Sequence, residues 1–171
     1  MKRWSIPAAF FCVLALLACT VRPRVSNTGY TGTWSGGNDR VVSMIAIAKS
    51  GDRYFFRWFK HTSDRALDVD CGWDGHCEER FLGRRVATYD FAARLDPATG
   101  LLLVECHERR LEPQKLDIHF VDELAVEPGG RVLRSYTIER DGERMQGLGR
   151  PMRSFVKIAD AVAGVPENAA R

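Results

Sequence analysis

A regular alternation of β-prone segments with short turns runs through this chain from Tyr30 onward and leaves little room for another class of fold. Residues 53–60 read Arg-Tyr-Phe-Phe-Arg-Trp-Phe-Lys, and an aromatic density this high favours a strand. A Lys-Ser-Gly-Asp turn at 49–52 connects this segment to the apolar segment 40–48. The two segments are therefore predicted to form a β-hairpin.

The same pattern continues downstream, where the turns Asp-Pro-Ala-Thr-Gly at 96–100 and Glu-Pro-Gly-Gly at 127–130 each separate two β-prone segments. Consecutive hairpins without a long helical period predict a meander. A meander of about eight strands tends to close into a single antiparallel up-and-down β-barrel, an all-β fold. The further predicted strands are 85–95, 101–110, 115–126, 131–140 and a last one ending at 154–158.

Gly32-Thr33-Trp34 at the first predicted strand, followed by hairpin after hairpin, resembles the lipocalin-like (calycin-type) barrels. In that family the tryptophan packs across the closed end of the barrel, and the glycine lets the chain pass close beneath it. The resemblance implies a lipocalin-like barrel over residues 30–158, with structural roles for Gly32 and Trp34. It also implies that the barrel holds a small apolar ligand.

The N-terminal segment has the pattern of an export signal. Met1-Lys2-Arg3 precedes an apolar run from Ile6 to Cys19, which is shorter than the about 20 residues of a membrane-spanning helix. It fits the apolar region of a signal peptide, roughly 7–15 residues long. Leu16-Leu17-Ala18-Cys19 resembles the lipobox of bacterial lipoproteins, which implies cleavage of a signal peptide at 1–18 and acylation of the Cys19 thiol. An uncleaved anchor or an ordinary secretory signal is the alternative.

Thr20 follows the cysteine where aspartate would retain an enterobacterial lipoprotein in the inner membrane, so the resemblance implies the outer membrane. Residues 19–29 would be the lipidated cysteine and a tether, and 159–171 a C-terminal tail. Removal of 1–18 takes away Lys2 and Arg3 and lowers the formal charge from +3 to +1. We therefore expect a periplasm-facing domain, held at the membrane by its lipid anchor, with no nucleic-acid partner.

Three cysteines lie in the domain itself, at Cys71, Cys77 and Cys106. In an oxidising envelope this number predicts one disulfide and one free thiol. Cys71 and Cys77 flank a Gly-rich segment and are the favoured pair, with Cys106 bonding to either of them as the alternative. Cys106 alternates with apolar residues of the segment 101–110, which predicts an inward-facing, inert thiol.

No motif for catalysis or for a cofactor stands out. The cysteines with His76 and His107 could form a zinc site, but the Cys-x2-Cys spacing is missing, so we predict no metal and no cofactor. Residues 32–36 place their serine one step from a nucleophile elbow, and Gly147-Leu148-Gly149 lacks the third glycine of a dinucleotide site. We predict that the protein is not an enzyme and has no catalytic residues.

Two functions remain, because a small barrel is either filled by its own side chains or leaves room for one ligand. The first is a lipid-anchored binding module whose barrel takes up a small apolar ligand. The second is an accessory or inhibitory lipoprotein with a solid barrel that binds an envelope protein through its loops. In that case we expect the contact at an exposed loop over 61–80, which contains Trp73.

Overall fold

A computed structural model describes residues 29–38, 40–145, 153–160 and 162. Cys19, the predicted signal peptide and most of the predicted tether and tail lie outside these residues. The described residues form eleven β-strands and no helix. The strands are β1 (Gly32–Asn38), β2 (Val41–Ser50), β3 (Arg53–Thr62), β4 (Leu67–Cys71), β5 (His76–Phe81), β6 (Arg84–Leu95), β7 (Leu102–Arg110), β8 (Leu116–Val126), β9 (Val132–Arg140), β10 (Glu143–Arg144) and β11 (Arg153–Ala159).

The strands close into one antiparallel barrel. Each strand from β1 to β9 pairs with its neighbours in sequence, and β11 pairs with both β9 and β1 to complete the ring. Among the described strands β10 pairs with β9 alone, so ten strands form the closed wall. The all-β, antiparallel up-and-down barrel is thus confirmed, whereas the predicted number of about eight strands is wrong.

The difference comes from the β4–β5 hairpin, which occupies the segment that we expected to be a loop. Asp68 and Asp70 gave that segment a loop-like composition, but they alternate with Val69 and Cys71, whose side chains are buried. This period of two is that of a strand with one face in the core. The acidic residues therefore lie on the outer face of the wall.

The hairpin widens only one part of the barrel. β3 pairs directly with β6 at Tyr54 and Ala93, and beyond that point the two strands separate and pair with β4 and β5 instead. Barrel diameter grows with the number of strands. The barrel is therefore eight strands around at one end, here called the closed end, and ten strands around at the other, here called the open end.

Tyr30 and Trp34 cover the closed end, and both side chains are fully buried. The Trp34 indole Nε1–H donates a hydrogen bond of 2.9 Å to the Tyr30 carbonyl oxygen. The single O–H of Tyr30 is shared between the carbonyl oxygens of Gly100 (3.2 Å) and Leu124 (3.0 Å), so the segment before β1 is tied to the opposite wall. These hydrogen bonds fix the two aromatic rings of Tyr30 and Trp34 inside the closed end of the barrel.

Gly32 and Lys157 also contact the closed end of the barrel. Gly32 has a φ of 132°, and a Cβ there would lie 2.5 Å from the Ala159 carbonyl oxygen, so only glycine fits. On the strand that pairs with β1, the Lys157 ammonium lies 5.0 Å from the Trp34 ring centroid. Trp34 thus lies buried at the closed end with a cation beside its ring, and Gly32 lies where β1 passes close to β11.

Candidate functional site: the barrel cavity

A cavity of about 430 Å³ lies inside the wider part of the barrel. Its residues belong to β2, β3, β5 to β9 and β11, with Met145 beside them, so nearly the whole wall contributes. Most of the apolar lining lies toward the closed end and most of the charged lining toward the open end, although Ile118 is level with Glu108 and Asp122 is level with Val104. The apolar lining is Ile45, Phe56, Trp58, Phe91, Val104, Ile118, Phe120, Leu124 and Phe155; the charged lining is Lys60, Glu79, Glu108, Arg110, Asp122, Arg140 and Arg153.

Aromatic rings form one rigid side of the cavity. Trp58 packs edge-on against Tyr89 and Phe91, at centroid distances of 5.5 Å and 6.2 Å. Its indole N–H donates a 3.0 Å hydrogen bond to the Ser43 hydroxyl, and Phe56 lies 5.1 Å from Phe91. With its ring contacts and its N–H satisfied, Trp58 is a fixed surface against which a ligand can pack.

The carboxylate of Glu79 is buried in the wall, with 8% of the residue exposed. It accepts a hydrogen bond from the Tyr89 hydroxyl. Burial raises the pKa of Tyr89 well above its usual value, and the neighbouring Glu79 carboxylate raises it further. Tyr89 therefore remains a hydrogen-bond donor at neutral pH.

Two further carboxylates of the cavity have partners within its wall. Glu108 accepts hydrogen bonds from the Arg110 guanidinium, the shorter of which measures 2.7 Å. Asp122 accepts from the hydroxyls of Thr137 (2.6 Å) and Ser135 (3.2 Å) on the neighbouring strand. Each negative charge that faces the cavity is thus bound by a donor of the protein.

Lys60 and Arg153 are arranged differently. The Lys60 ammonium lies 5.8 Å and the Arg153 guanidinium carbon 5.5 Å from the centroid of the same ring, that of Trp58. Within the described part of the chain neither cation forms an ion pair with a carboxylate. Two cationic groups therefore meet at one aromatic ring on the cavity wall.

The cysteines adopt the arrangement that the sequence favoured. Cys71 and Cys77 face each other across the β4–β5 hairpin and form a disulfide, with 4.0 Å between their Cα atoms. Cys106 is free and buried on the inner face of β7. Burial raises the pKa of its thiol far above the usual range, so the reactive thiolate is scarce at neutral pH.

The alternative zinc site does not assemble. Two of its sulfurs are bonded to each other, and the imidazoles of His76 and His107 pair with Asp90 and Asp117 on the barrel surface. Nowhere in the described ranges do three or more His, Cys, Asp or Glu side chains form a cluster suited to a metal ion.

A second cavity, of about 440 Å³, lies at the seam where β3 and β6 come together below the β4–β5 turn. It is lined by residues 52–56, 73–75 and 91–95, and the buried indole N–H of Trp73 beside it has no hydrogen-bond partner among the described residues. Phe56 and Phe91 border both cavities and separate them. The barrel cavity is the stronger candidate site, because side chains from most of the wall converge on it.

Sequence reasoning missed the charged lining of this cavity. A signal was present in β7, where the inward positions Val104 and Cys106 are followed, with the same period of two, by Glu108 and Arg110. Charged residues that continue the inward face of a strand indicate a polar interior. The convergence of Lys60 with Arg153 left no such signal, because it depends on closure of the barrel by β11.

Neither a protein-family model nor a curated protein nor a solved structure matches this chain. The resemblance to lipocalin-like barrels therefore rests on the Gly32–Trp34 motif and on the barrel itself. Among the described residues there is no helix long and apolar enough to cross a membrane.

Proposed function

We propose that this chain is a non-catalytic lipoprotein of the bacterial cell envelope whose barrel binds a small apolar ligand. The observation that carries the proposal is the cavity of about 430 Å³ inside the barrel. Binding sites for small molecules are typically roughly 300–1,000 Å³ in volume, mostly apolar, with a few polar groups that orient the ligand. The barrel cavity has this size and this composition.

The distribution of polar groups supports one orientation of the ligand. The apolar part of the cavity is lined by side chains such as Ile45, Val104 and Phe155, all buried. Exposed charged residues, among them Arg153, lie toward the open end. An apolar ligand with one polar end would place its apolar part against the core and its polar part at the opening.

The proposed anchor is the Cys19 thiol, and it rests on the lipobox resemblance alone. One acyl chain holds a protein at a membrane only marginally, whereas two or more signals make a stable anchor, so a triacylated cysteine suffices. The domain would then face the periplasm from the outer membrane. Replacing Cys19 by serine should abolish labelling with a palmitate analogue and release the protein into the soluble envelope fraction. Continued labelling of the variant would contradict the anchor.

Ligand binding is tested by thermal shift on the purified protein, with fatty acids, fatty alcohols, isoprenoids, haem and hydrophobic dyes. A ligand at a hundredfold excess over its Kd stabilises the fold by about 2.7 kcal/mol. In a domain of this size that raises the melting temperature by several degrees, at about 2–4 °C per kcal/mol. Mass spectrometry of an organic extract tests separately for a ligand that is carried through purification.

A variant that fills the cavity makes the test specific. Val104→Phe adds a ring at a buried inward position of β7, and it should abolish the shift. Leu103→Phe adds the same ring at the next, outward position and should leave the shift intact. An absence of any shift and an empty extract would instead favour the interaction lipoprotein, whose barrel acts only as a support for its loops.

A further inference from the structure

We infer that the ligand of the barrel cavity is a single-chain anionic amphiphile, and that Lys60 and Arg153 bind its carboxylate or phosphate group against Trp58. The inference rests on the proposed binding function and names the chemical class of the ligand.

The negative charges of the cavity are already bound by donors of the protein. Its carboxylates are engaged: Glu79 by the Tyr89 hydroxyl, Glu108 by Arg110 at 2.7 Å, and Asp122 by two hydroxyls. A carboxylate that already accepts such bonds has less capacity left for a cationic ligand. The negative charges of the lining are thus part of the wall.

The cations of the cavity differ in whether they have a carboxylate partner. Arg110 is bound to Glu108, and Arg140 lies 3.6 Å from Asp141. Lys60 and Arg153, by contrast, form no ion pair within the described ranges and share the Trp58 ring as their neighbour. Ammonium and guanidinium groups carry three and five N–H donors and no acceptor, so both retain unused donors beside the cavity.

Lys60 and Arg153 lie next to the apolar lining of the cavity. Trp58 is held by Ser43 at one edge and by Tyr89 and Phe91 at its sides, and only 7% of the residue is exposed. Lys60 follows Trp58 on β3 with a period of two, and Arg153 precedes Phe155 on β11 with the same period, so each cation continues an apolar row of the cavity lining. An amphiphile could therefore lie with its chain along the rings and its anionic group between the two cations.

The test measures binding of four ligands that share a twelve-carbon chain: dodecanoate, dodecyl phosphate, dodecanol and dodecylammonium. Titration calorimetry on the purified full-length protein is run below the micellar concentration of each ligand. We expect dodecanoate or dodecyl phosphate, or both, to bind with an affinity at least about tenfold higher than that of dodecanol. Dodecylammonium should bind most weakly. Whichever of the two anions binds more tightly shows whether the natural ligand carries a carboxylate or a phosphate group.

The double variant Lys60→Met/Arg153→Met should reduce the preference for the anion over dodecanol to less than about twofold. Both residues are at least partly exposed, so the variant is expected to fold, as melting and circular dichroism can check. The control is Arg84→Met/Lys115→Met, which removes the same charge from exposed positions outside the cavity lining. The charge-preserving variant Lys60→Arg/Arg153→Lys should keep the preference.

The outcomes separate the two proposals. Equal binding of dodecanoate, dodecyl phosphate and dodecanol, or tighter binding of dodecylammonium, would overturn the anionic class and leave the apolar binding function in place. A preference for the anion that survives in the double variant would overturn the roles of Lys60 and Arg153. No binding of any of the four ligands would overturn the inference together with the proposed function.

Discussion

The two ends of the barrel share eight strands but differ in what fills their interior. At the closed end, where β3 pairs with β6, Tyr30 and Trp34 fill the space, and the Tyr30 hydroxyl and the Trp34 indole N–H both form hydrogen bonds. At the open end the β4–β5 hairpin enlarges the ring to ten strands, and a cavity with charged lining remains. The cavity thus lies in the part of the barrel that the β4–β5 hairpin widens, as expected when the diameter grows with the number of strands.

Replacing Trp34 by alanine should have the largest effect on stability. Trp34 is fully buried at the closed end, and truncation of such a side chain costs about 3–5 kcal/mol of unfolding free energy. Trp58→Ala is the matched variant, and it should cost less because that ring already borders a cavity. Urea denaturation of both variants measures the difference. Equal losses would mean that the two ends are packed alike.

Removing the disulfide should weaken the wider half of the barrel selectively. The bond closes a short loop, with a sequence separation of 6, and the Cys71→Ser/Cys77→Ser variant should lose about 2 kcal/mol. Hydrogen exchange should rise in β4 and β5 and stay unchanged in β1. A reductant should reproduce the loss in the original protein and have no further effect on the variant. Faster exchange throughout the barrel would show that the ends are not independent.

Alkaline pH should destabilise the fold through groups at both ends. Burial raises the pKa of Tyr30 from 10.0 to about 12, so the folded state holds this proton more tightly than the unfolded state. The contribution of this group to the free energy of unfolding is fully present below pH 10. It is lost as the pH rises toward 12, at up to about 1.4 kcal/mol per pH unit. Tyr89 and Cys106, whose pKa values burial also raises, act in the same direction.

Tyr30→Phe isolates the contribution of the closed end. Between pH 10 and 12 its stability should fall less steeply than that of the original protein, as measured by urea denaturation at several pH values. Near neutral pH the variant should be about 1 kcal/mol less stable, because two carbonyl oxygens lose their donor. An unchanged slope above pH 10 would assign the alkaline loss to the other groups.

The smallest effect is expected from Lys157→Met, which removes the cation above the Trp34 ring. Such a contact contributes about 0.5–1 kcal/mol, so the melting temperature should fall slightly while ligand affinity stays the same. Lys60→Met removes a cation above Trp58 and should do the reverse, with little change in melting and weaker binding of an anionic ligand. Equal changes in melting temperature and in ligand affinity for the two variants would contradict the different roles proposed for Lys157 and Lys60.

Local patterns in the sequence determined much of the fold. Aromatic and β-branched segments between Gly- and Pro-containing turns predicted the hairpins β2–β3, β6–β7 and β8–β9, because both signals act over a few residues. The spacing of Cys71 and Cys77 favoured their disulfide, and Gly32-Thr33-Trp34 marked the first strand. The prediction of a loop at 61–80 was wrong because the Asp and Gly content of this segment suggests a loop. Its alternation of buried and outward residues becomes clear only when the segment pairs with β3 and β6.

The cavity of the barrel and the side chains that meet in it could be found only from the tertiary structure. Lys60 on β3 and Arg153 on β11 are distant in the chain, and they meet at Trp58 only because β11 pairs with β1 and closes the ring. The cavity likewise depends on the number of strands that separate β3 from β6, a property of the closed wall that no single hairpin contains. Turn and strand preferences are local energies and can be read from sequence, whereas closure, register and convergence of side chains are set by pairings between distant segments.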